Sequence, residues 1–407
     1  MRYDLAVIGA GPGGYRAAAY AASQGLTVAV YEQATVGGTC LNRGCIPTKT
    51  YVHSHSFEEA VVRQQQVVLQ LRSGVEGILS QPGITLVRAH ASLGDIDARH
   101  VIIATGSRAK MPPIEGLFDD PRVVDATGLL ALTRLPRRLC IIGAGVIGME
   151  FASVFRRFGA EVMVIEAMKE CLPMLDSDLA KRLRKLMEKQ GITFRMKTAL
   201  TSLCDIDADI ILVATGRRAY TEGLGLEHTA IATDPHGFLA THPDTFQCLV
   251  GDTVSQQYYA IGDVNGRSLL AHAAEMQAVR AVNHILHKPD GIRFDIMPAA
   301  IFTTPEAACV GPNEEQLKTG DTPYECHKAF WRANGKAQAM GESEGLLKLF
   351  AAPDDGLLLG CHAYGAHATD LVQEVSALMC RDTTLSQLRD IIHIHPTLSE
   401  IVKAATD

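Results

Sequence analysis

Tyr3-Asp4-Leu5-Ala6-Val7-Ile8-Gly9-Ala10-Gly11-Pro12-Gly13-Gly14 opens on apolar residues and breaks into glycines. An alanine-rich stretch follows to Ser23, Gly25 interrupts it, and Thr27 to Tyr31 is a second apolar run closed by Glu32. Strand, tight turn, helix and strand is the reading of that pattern, a β-α-β unit. Such glycines let the backbone approach a pyrophosphate, whose charge the helix N-terminus meets. An acid at the end of the second strand accepts hydrogen bonds from a ribose. Gly9, Gly11, Gly13, Gly14 and Glu32 are thus candidate ligands of a dinucleotide.

The pattern recurs. Leu139 to Ile142 is a second opening strand, Gly143-Ala144-Gly145-Val146-Ile147-Gly148 its turn, and a helix is expected to about Phe158 before Gly159. Glu161 to Ile165 reads as the next strand, ending in Glu166. Glu32 lies 18 positions after Gly14 and Glu166 lies 18 after Gly148. One glycine motif alone is weak evidence; two in full β-α-β context, each with an acid at the same offset, are strong evidence. Val101-Ile102-Ile103-Ala104-Thr105-Gly106 and Ile211-Leu212-Val213-Ala214-Thr215-Gly216 are a second internal echo. The chain therefore carries two related nucleotide-binding modules, and two dinucleotides imply hydride traffic between them. Glu166 favours NAD over NADP, because a carboxylate that bonds a ribose 2′-hydroxyl repels a 2′-phosphate. From Pro298 onward no such motif appears. Leu346 to Phe350 and Leu357 to Leu359 are expected strands, and Thr369 to Cys380 and Leu385 to Ile392 expected helices, of an α+β domain.

Composition bounds the rest. The chain has 407 residues, 47% of them hydrophobic, enough for a sizeable core. Its net charge of −7 gives no reason to expect a nucleic-acid partner. No run reaches the roughly 18 apolar residues of a membrane helix, and Leu5 to Ile8 is too short for a signal core, so no membrane partner and a cytoplasmic location are expected. Ten cysteines stand mostly far apart, unlike a secreted disulfide scaffold. No Cys-x-x-Cys pair exists, and no metal site is expected.

Two cysteines are close together, in Gly37-Gly38-Thr39-Cys40-Leu41-Asn42-Arg43-Gly44-Cys45-Ile46-Pro47-Thr48-Lys49. Cysteines five apart form a disulfide only where the chain departs from regular helix. Gly37, Gly38 and Gly44 supply that freedom. Unpaired core cysteines are the plain alternative. A disulfide in a cytoplasmic protein is more often catalytic than structural. Near the other end stands His393-Ile394-His395-Pro396-Thr397-Leu398-Ser399-Glu400. Chemistry on a dithiol needs a base to form the thiolate. His395 suits that role if Glu400 orients its ring and stabilises its charged form; His393 has no assigned role. A surface His-x-His pair is the alternative.

Cys40-Leu-Asn-Arg-Gly-Cys45-Ile-Pro-Thr-Lys49 resembles the redox motif of the class I pyridine nucleotide–disulfide oxidoreductases, and is most similar to that of dihydrolipoamide dehydrogenases. Ile261-Gly262-Asp263, Leu270-Ala271-His272-Ala273-Ala274-Glu275, Thr304-Pro305-Glu306 with Val310-Gly311, and the His395 segment extend the resemblance over nearly the whole chain. It implies two Rossmann-like domains and a C-terminal α+β dimerisation domain. The expected boundaries are 1–120 with 235–295 for FAD, 121–234 for NAD, and 296–407 for the interface. It further implies FAD on the first module, held also by Gly38, Thr39, Lys49, Thr105, Gly106, Asp263 and Ala273. NAD falls to Gly143, Gly145, Val146, Ile147, Gly148, Glu166 and Gly216. Cys40 and Cys45 become the redox disulfide, Lys49 a cation near the flavin paired with Glu150, and His395 with Glu400 a pair serving the other subunit's disulfide. The implied protein is a homodimer with shared active sites. Its implied reaction is dihydrolipoamide + NAD⁺ → lipoamide + NADH, with a lipoyl-bearing multienzyme complex as a partner. The alternative is an NAD(P)H-dependent reductase of a metal ion or oxidised small molecule using the same disulfide, as in mercuric-reductase-like paralogues.

Three features depart from the family pattern. Only 58 residues lie between Cys45 and Ala104, and Thr201 precedes Ile211 by 10 positions, where β-rich excursions are usual. Arg217-Arg218-Ala219-Tyr220 stands in place of Arg-Arg-Pro-Asn. Pro47 to His53 and Asp125-Ala126-Thr127 also resemble shorter paralogues linked to metal-ion reduction and oxidant stress.

Overall fold

A computed structural model describes residues 2–407, and the chain divides into two compact units. The first runs to Met111 and takes in Ala126–Thr133 and Gly216–Ile292. Its sheet has six strands in the order Gln247–Val250, Thr253–Ala260, Ala98–Ile103, Tyr3–Ile8, Val28–Tyr31, Ile84–Val87. All neighbours are parallel except the first pair. Leu5, Ala6, Val7 and Val28 to Val30 are wholly buried, which is why these strands read as unbroken apolar runs. Helix Pro12–Ser23 begins on the proline, whose missing N–H costs nothing there, and packs its fully buried Ala17, Ala18 and Ala21 inward.

The chain leaves this unit after Met111, touches it again at Ala126–Thr133 and re-enters at Gly216. Strand pairing holds the exit and the re-entry side by side. Arg217–Ala219 pairs antiparallel with Ser107–Ala109, so the two connections form one short ladder. Lys110 N–H donates to the Gly216 carbonyl at 2.9 Å and Tyr220 N–H to that of Gly106 at 3.0 Å. Residues 88–97 hold one short helical turn, Leu93–Asp95, where a β-rich excursion is usual.

The second unit comprises Pro112–Asp125, Arg134–Thr215 and Arg293–Asp407. One sheet is parallel, ordered Val123–Val124, Ile210–Val213, Arg138–Ile142, Glu161–Ile165, Thr193–Arg195. The other is antiparallel, ordered Ala299–Ile301, Ala307–Val310, Leu358–Tyr364, Leu346–Ala351, Glu325–Phe330. Helix Ala368–Met379 lays Leu371, Val372 and Val375 on its core beside the fully buried Trp331, whose indole N–H donates to the Ala366 carbonyl at 3.0 Å. The fold is thus the expected one, two Rossmann-like sheets and a C-terminal α+β layer.

A buried ionic cluster ties the helix Ser177–Lys189 to the antiparallel sheet within this unit. Lys348 Nζ lies 2.7 Å from Asp176 Oδ1 and 3.0 Å from Glu314 Oε2, and Lys348 and Asp176 are essentially inaccessible. Asp176 also caps its helix, and its own N–H donates to Nδ1 of the buried His362 at 3.0 Å. Two expected elements differ in length. The strand expected at Leu357 to Leu359 extends as Leu358–Tyr364. The helix expected to Ile392 stops at Arg389, after a capping box of Thr384 and Gln387, and the chain runs on to the cis peptide His395–Pro396.

Candidate active site

The two close cysteines sit on two short helices. Gly38–Arg43 carries Cys40, and Cys45 is the first residue of Cys45–Val52. Gly44 breaks the helix between them, and a side chain there would be crowded. A Cβ at this position would lie 3.0 Å from the Thr39 carbonyl oxygen and 3.3 Å from the Cα of Cys40. Cys40 is half-buried and Cys45 exposed, and the two side chains are within hydrogen-bond reach of each other. A hydrogen bond to Cys45, burial and the Cys45 charge push the Cys40 thiol up, and the Lys49 ammonium opposes them. Two thiols in such contact share a proton, so ionisation of one disfavours ionisation of the other. Cys45 stands at the N-terminus of its helix.

Thr39 and Lys49 lie on the same pair of helices, and a close approach locks that pair to the first glycine turn. A Cβ on Gly38 would fall 2.6 Å from the Cα of Gly11. Gly13 meets Ala274, next to the wholly buried Ala273, on helix Ala271–Ile285. Gly14 lies so near the Gly9 carbonyl oxygen that a Cβ would come within 1.8 Å of it. The Glu32 carboxylate accepts from Ala10 N–H at 2.9 Å and Ala34 N–H at 2.8 Å, so both oxygens are fixed at the strand end. Thr105 donates its hydroxyl proton to the Tyr220 carbonyl at 2.6 Å, and Gly106 follows at φ +76°. Asp263 accepts from the Ser107 hydroxyl, and Arg217 Nε lies 2.6 Å from that hydroxyl and 3.6 Å from the Asp263 carboxylate. This cradle, with a fixed acid and close-packed glycines, fits a dinucleotide.

The second module repeats the first. Glu166 accepts from Ala144 N–H at 2.6 Å and Met168 N–H at 2.7 Å, and a Cβ on Gly148 would fall 2.0 Å from the Gly143 carbonyl oxygen. Val146 and Ile147 are the first helical residues, Gly145 has nothing within 4 Å of a built Cβ, and Gly216 takes φ +111°. This fits a second dinucleotide. Glu150 is buried on the same helix, and its carboxylate accepts from Phe302 N–H at 2.9 Å. That bond ties the module to the C-terminal sheet.

His395 and Glu400 come together as expected. The ring Nδ1 lies 2.9 Å from Glu400 Oε1, and Glu400 Oε2 accepts from Thr397 N–H at 2.9 Å. The Thr397 amide and then the His395 ring hold Glu400 below the usual carboxylate range. The His395 side chain is 79% exposed, so its far nitrogen faces solvent. His393 differs: its side chain is only 4% exposed and lies 2.8 Å from Glu374, a satisfied buried histidine. No group of residues suited to a metal ion occurs among the described residues.

Residues 3–278 match the pyridine nucleotide-disulphide oxidoreductase family, and residues 297–406 match the dimerisation domain of that family. The chain belongs to this family. It is 34% identical to leghemoglobin reductase of Glycine max over 99% of this chain and 86% of that protein. It is equally similar, 34%, to dihydrolipoyl dehydrogenase 3 of Pseudomonas putida over 99% of this chain and 97% of that one. Among solved structures, the Cu(II) complex of the HOCl-induced flavoprotein disulfide reductase RclA from Escherichia coli superposes with a TM-score of 0.92. It is 28% identical and covers 100% of this chain and 99% of that one. The chain is accordingly a flavoprotein disulfide oxidoreductase using FAD and a pyridine nucleotide, with a dimerisation domain at its C-terminus. No helix among the described residues is long and apolar enough to cross a membrane.

Sequence reasoning missed several residues that shape this oxidoreductase's site. Arg217 and Ser107 hold Asp263, and Gln277 accepts from Gly262 N–H at 2.8 Å, steadying the turn that presents Asp263. Tyr15 donates to Glu275 at 3.1 Å; burial and that carboxylate push its phenol up, and the Cys40 charge adds to the effect. None of these partners is adjacent in sequence, so only the Asp263 and Glu275 motifs carried a signal.

Proposed function

We propose that the protein is a dihydrolipoyl dehydrogenase, carrying out dihydrolipoamide + NAD⁺ → lipoamide + NADH + H⁺. One observation carries this reading: the solvent-facing His395 ring held by Glu400 at 2.9 Å, an oriented base without a buried neighbour to occupy it. FAD belongs to the first unit, NAD to the Gly143–Glu166 module, and the C-terminal domain pairs two subunits. When bound, the two cofactors supply the two-electron transfer that returns the cysteine pair to its disulfide.

His395 of one subunit accepts a proton from the dithiol at Nε2, while Glu400 holds Nδ1 and stabilises the imidazolium. The substrate thiolate attacks Cys40 Sγ of the partner's disulfide, and Cys45 leaves as a thiolate, with the Lys49 charge one turn on. The second substrate sulfur then displaces Cys40 from the mixed disulfide, its proton passing to the Cys40 sulfur. Lipoamide leaves, with Cys40 as a thiol, Cys45 as a thiolate and the first proton on His395. A second reading draws on the match to RclA, whose chain is covered almost end to end. The same cysteine pair would then run in reverse, delivering electrons from NADH to a metal ion or an oxidised small molecule.

Steady-state NAD⁺ reduction with dihydrolipoamide tests the proposal. Turnover should fall at least about 10³-fold in Cys45→Ser with flavin retained. In His395→Ala the dithiol half-reaction should slow by roughly 10²–10⁴-fold, with flavin reduction by NADH unchanged. Negligible wild-type turnover, with NADH oxidation driven by metal salts or hypochlorite-derived oxidants, would replace the first reading by the second.

A further inference from the structure

Glu32 fixes where a dinucleotide bound to the first module must place its parts. Its carboxylate marks the ribose, and the glycine turn Gly9–Gly14 marks the pyrophosphate. The base must therefore lie beyond Glu32, away from the turn. A pocket opens there, walled by Tyr31, Gln33, His90 and Tyr220. Tyr220 is, with Ala219, one of two residues at which the chain departs from its family's Arg-Arg-Pro-Asn pattern, and it is held from several sides. Its N–H donates to Gly106 at 3.0 Å and its carbonyl accepts from the Thr105 hydroxyl at 2.6 Å. The Gln33 side-chain amide donates to its phenol oxygen at 2.9 Å, and the Arg108 guanidinium sits 3.8 Å from its ring centre. The loop it opens is pinned against the opposite wall, with Leu93 N–H donating to the Leu224 carbonyl at 2.9 Å.

We infer that Tyr220 is a cofactor-positioning residue: its ring, backed by Arg108 and braced by Gln33, forms the wall against which the adenine of FAD packs. A flat aromatic wall with a cation behind it suits a purine, and base–aromatic stacking is sequence-independent and strong. The inference rests on the reading that the first module carries FAD. It explains how a chain with so short a connection across residues 88–97 still closes its base pocket: a side chain from the return strand does what a longer excursion would do.

FAD release from the holoenzyme, followed by free-flavin fluorescence in guanidinium below the unfolding transition, tests this. Tyr220→Ala should release FAD about 10-fold faster, a loss of the size expected for one stacked base, and Arg108→Ala about 2–3-fold faster by loss of the cation behind the ring. Tyr220→Phe, which keeps the ring, should stay within about 2-fold of wild type. The melting temperature of Tyr220→Ala in excess FAD should match wild type, which a merely structural role would not allow. Should Tyr220→Ala fail to fold, Tyr220→Leu and Arg108→Ala carry the same comparison. Unchanged release together with unchanged NAD⁺ affinity, measured by calorimetry on the same variants, would overturn the wall. Unchanged release with weakened NAD⁺ affinity would overturn the assignment of FAD to this module instead.

Discussion

The two nucleotide modules share one geometry and differ in what surrounds it. In each, a glutamate at the second strand's end accepts from the alanine N–H inside the glycine turn, and the last glycine abuts the first one's carbonyl. Around the first turn the chain closes in: Gly38 touches Gly11, and Ala274 covers Gly13. Around the second, Gly145 faces open space. The lesson is that the motif specifies dinucleotide geometry, while the packing over it decides whether the ligand stays or exchanges. A covered turn suits resident FAD, and an open one suits NAD that must come and go on every turnover.

Swapping the same substitution between modules gives the largest effect. Gly14→Ala places a methyl 1.8 Å from a carbonyl oxygen and should yield protein without flavin. Gly148→Ala, with its 2.0 Å clash, should give yellow protein whose flavin is reduced by NADH at least about 100-fold more slowly, given the loss of pyrophosphate approach. Flavin content and stopped-flow reduction read both. Flavin loss in Gly148→Ala with retention in Gly14→Ala would invert the assignment.

The acids give the next contrast. Glu166→Ala should shift the NADH-to-NADPH preference by about 10-fold or more towards NADPH, because the carboxylate that repels a 2′-phosphate is gone. Glu32→Ala should leave that ratio unchanged and instead weaken flavin retention. Kinetics with both nucleotides separate the two; a ratio that moves in Glu32→Ala would break the comparison.

The smallest effect concerns how the second module is anchored. Lys318 and then Lys348 hold Glu314 down to about 2 against the opposing cost of burial. Its folded value lies below the roughly 4.3 of an unfolded glutamate. The stability it contributes is present above that ordinary value and is lost as pH falls through the folded one. Glu314→Gln should therefore lower the melting temperature at neutral pH by roughly 2–4 °C and narrow the gap to wild type between about pH 4.3 and 2. An equal gap at both ends of that window would show that Glu314 does not titrate in the fold.

Much of this protein was legible from one dimension. The β-α-β units, the acids at equal offsets, the cysteine pair and the His395–Glu400 spacing are local, because a turn, a strand end or a five-residue reach is set by neighbours along the chain. Gly44 shows the limit: its freedom was readable, but its close approach to the Thr39 carbonyl and the resulting helix break were not. The re-entry at Gly216, the pairing of Arg217 with Asp263, the stacking of Arg108 on Tyr220 and the Lys348 cluster all join residues distant in sequence. Sequence by itself determined the family, the two nucleotide modules and the close spacing of Cys40 with Cys45 and of His395 with Glu400, since those depend on residue type at fixed local spacing. Only the tertiary structure decided that His393 is buried on Glu374 while His395 is presented to solvent, and which turn is covered. Exposure is set by what packs against a residue, and a residue two positions away on the chain can meet an entirely different neighbour.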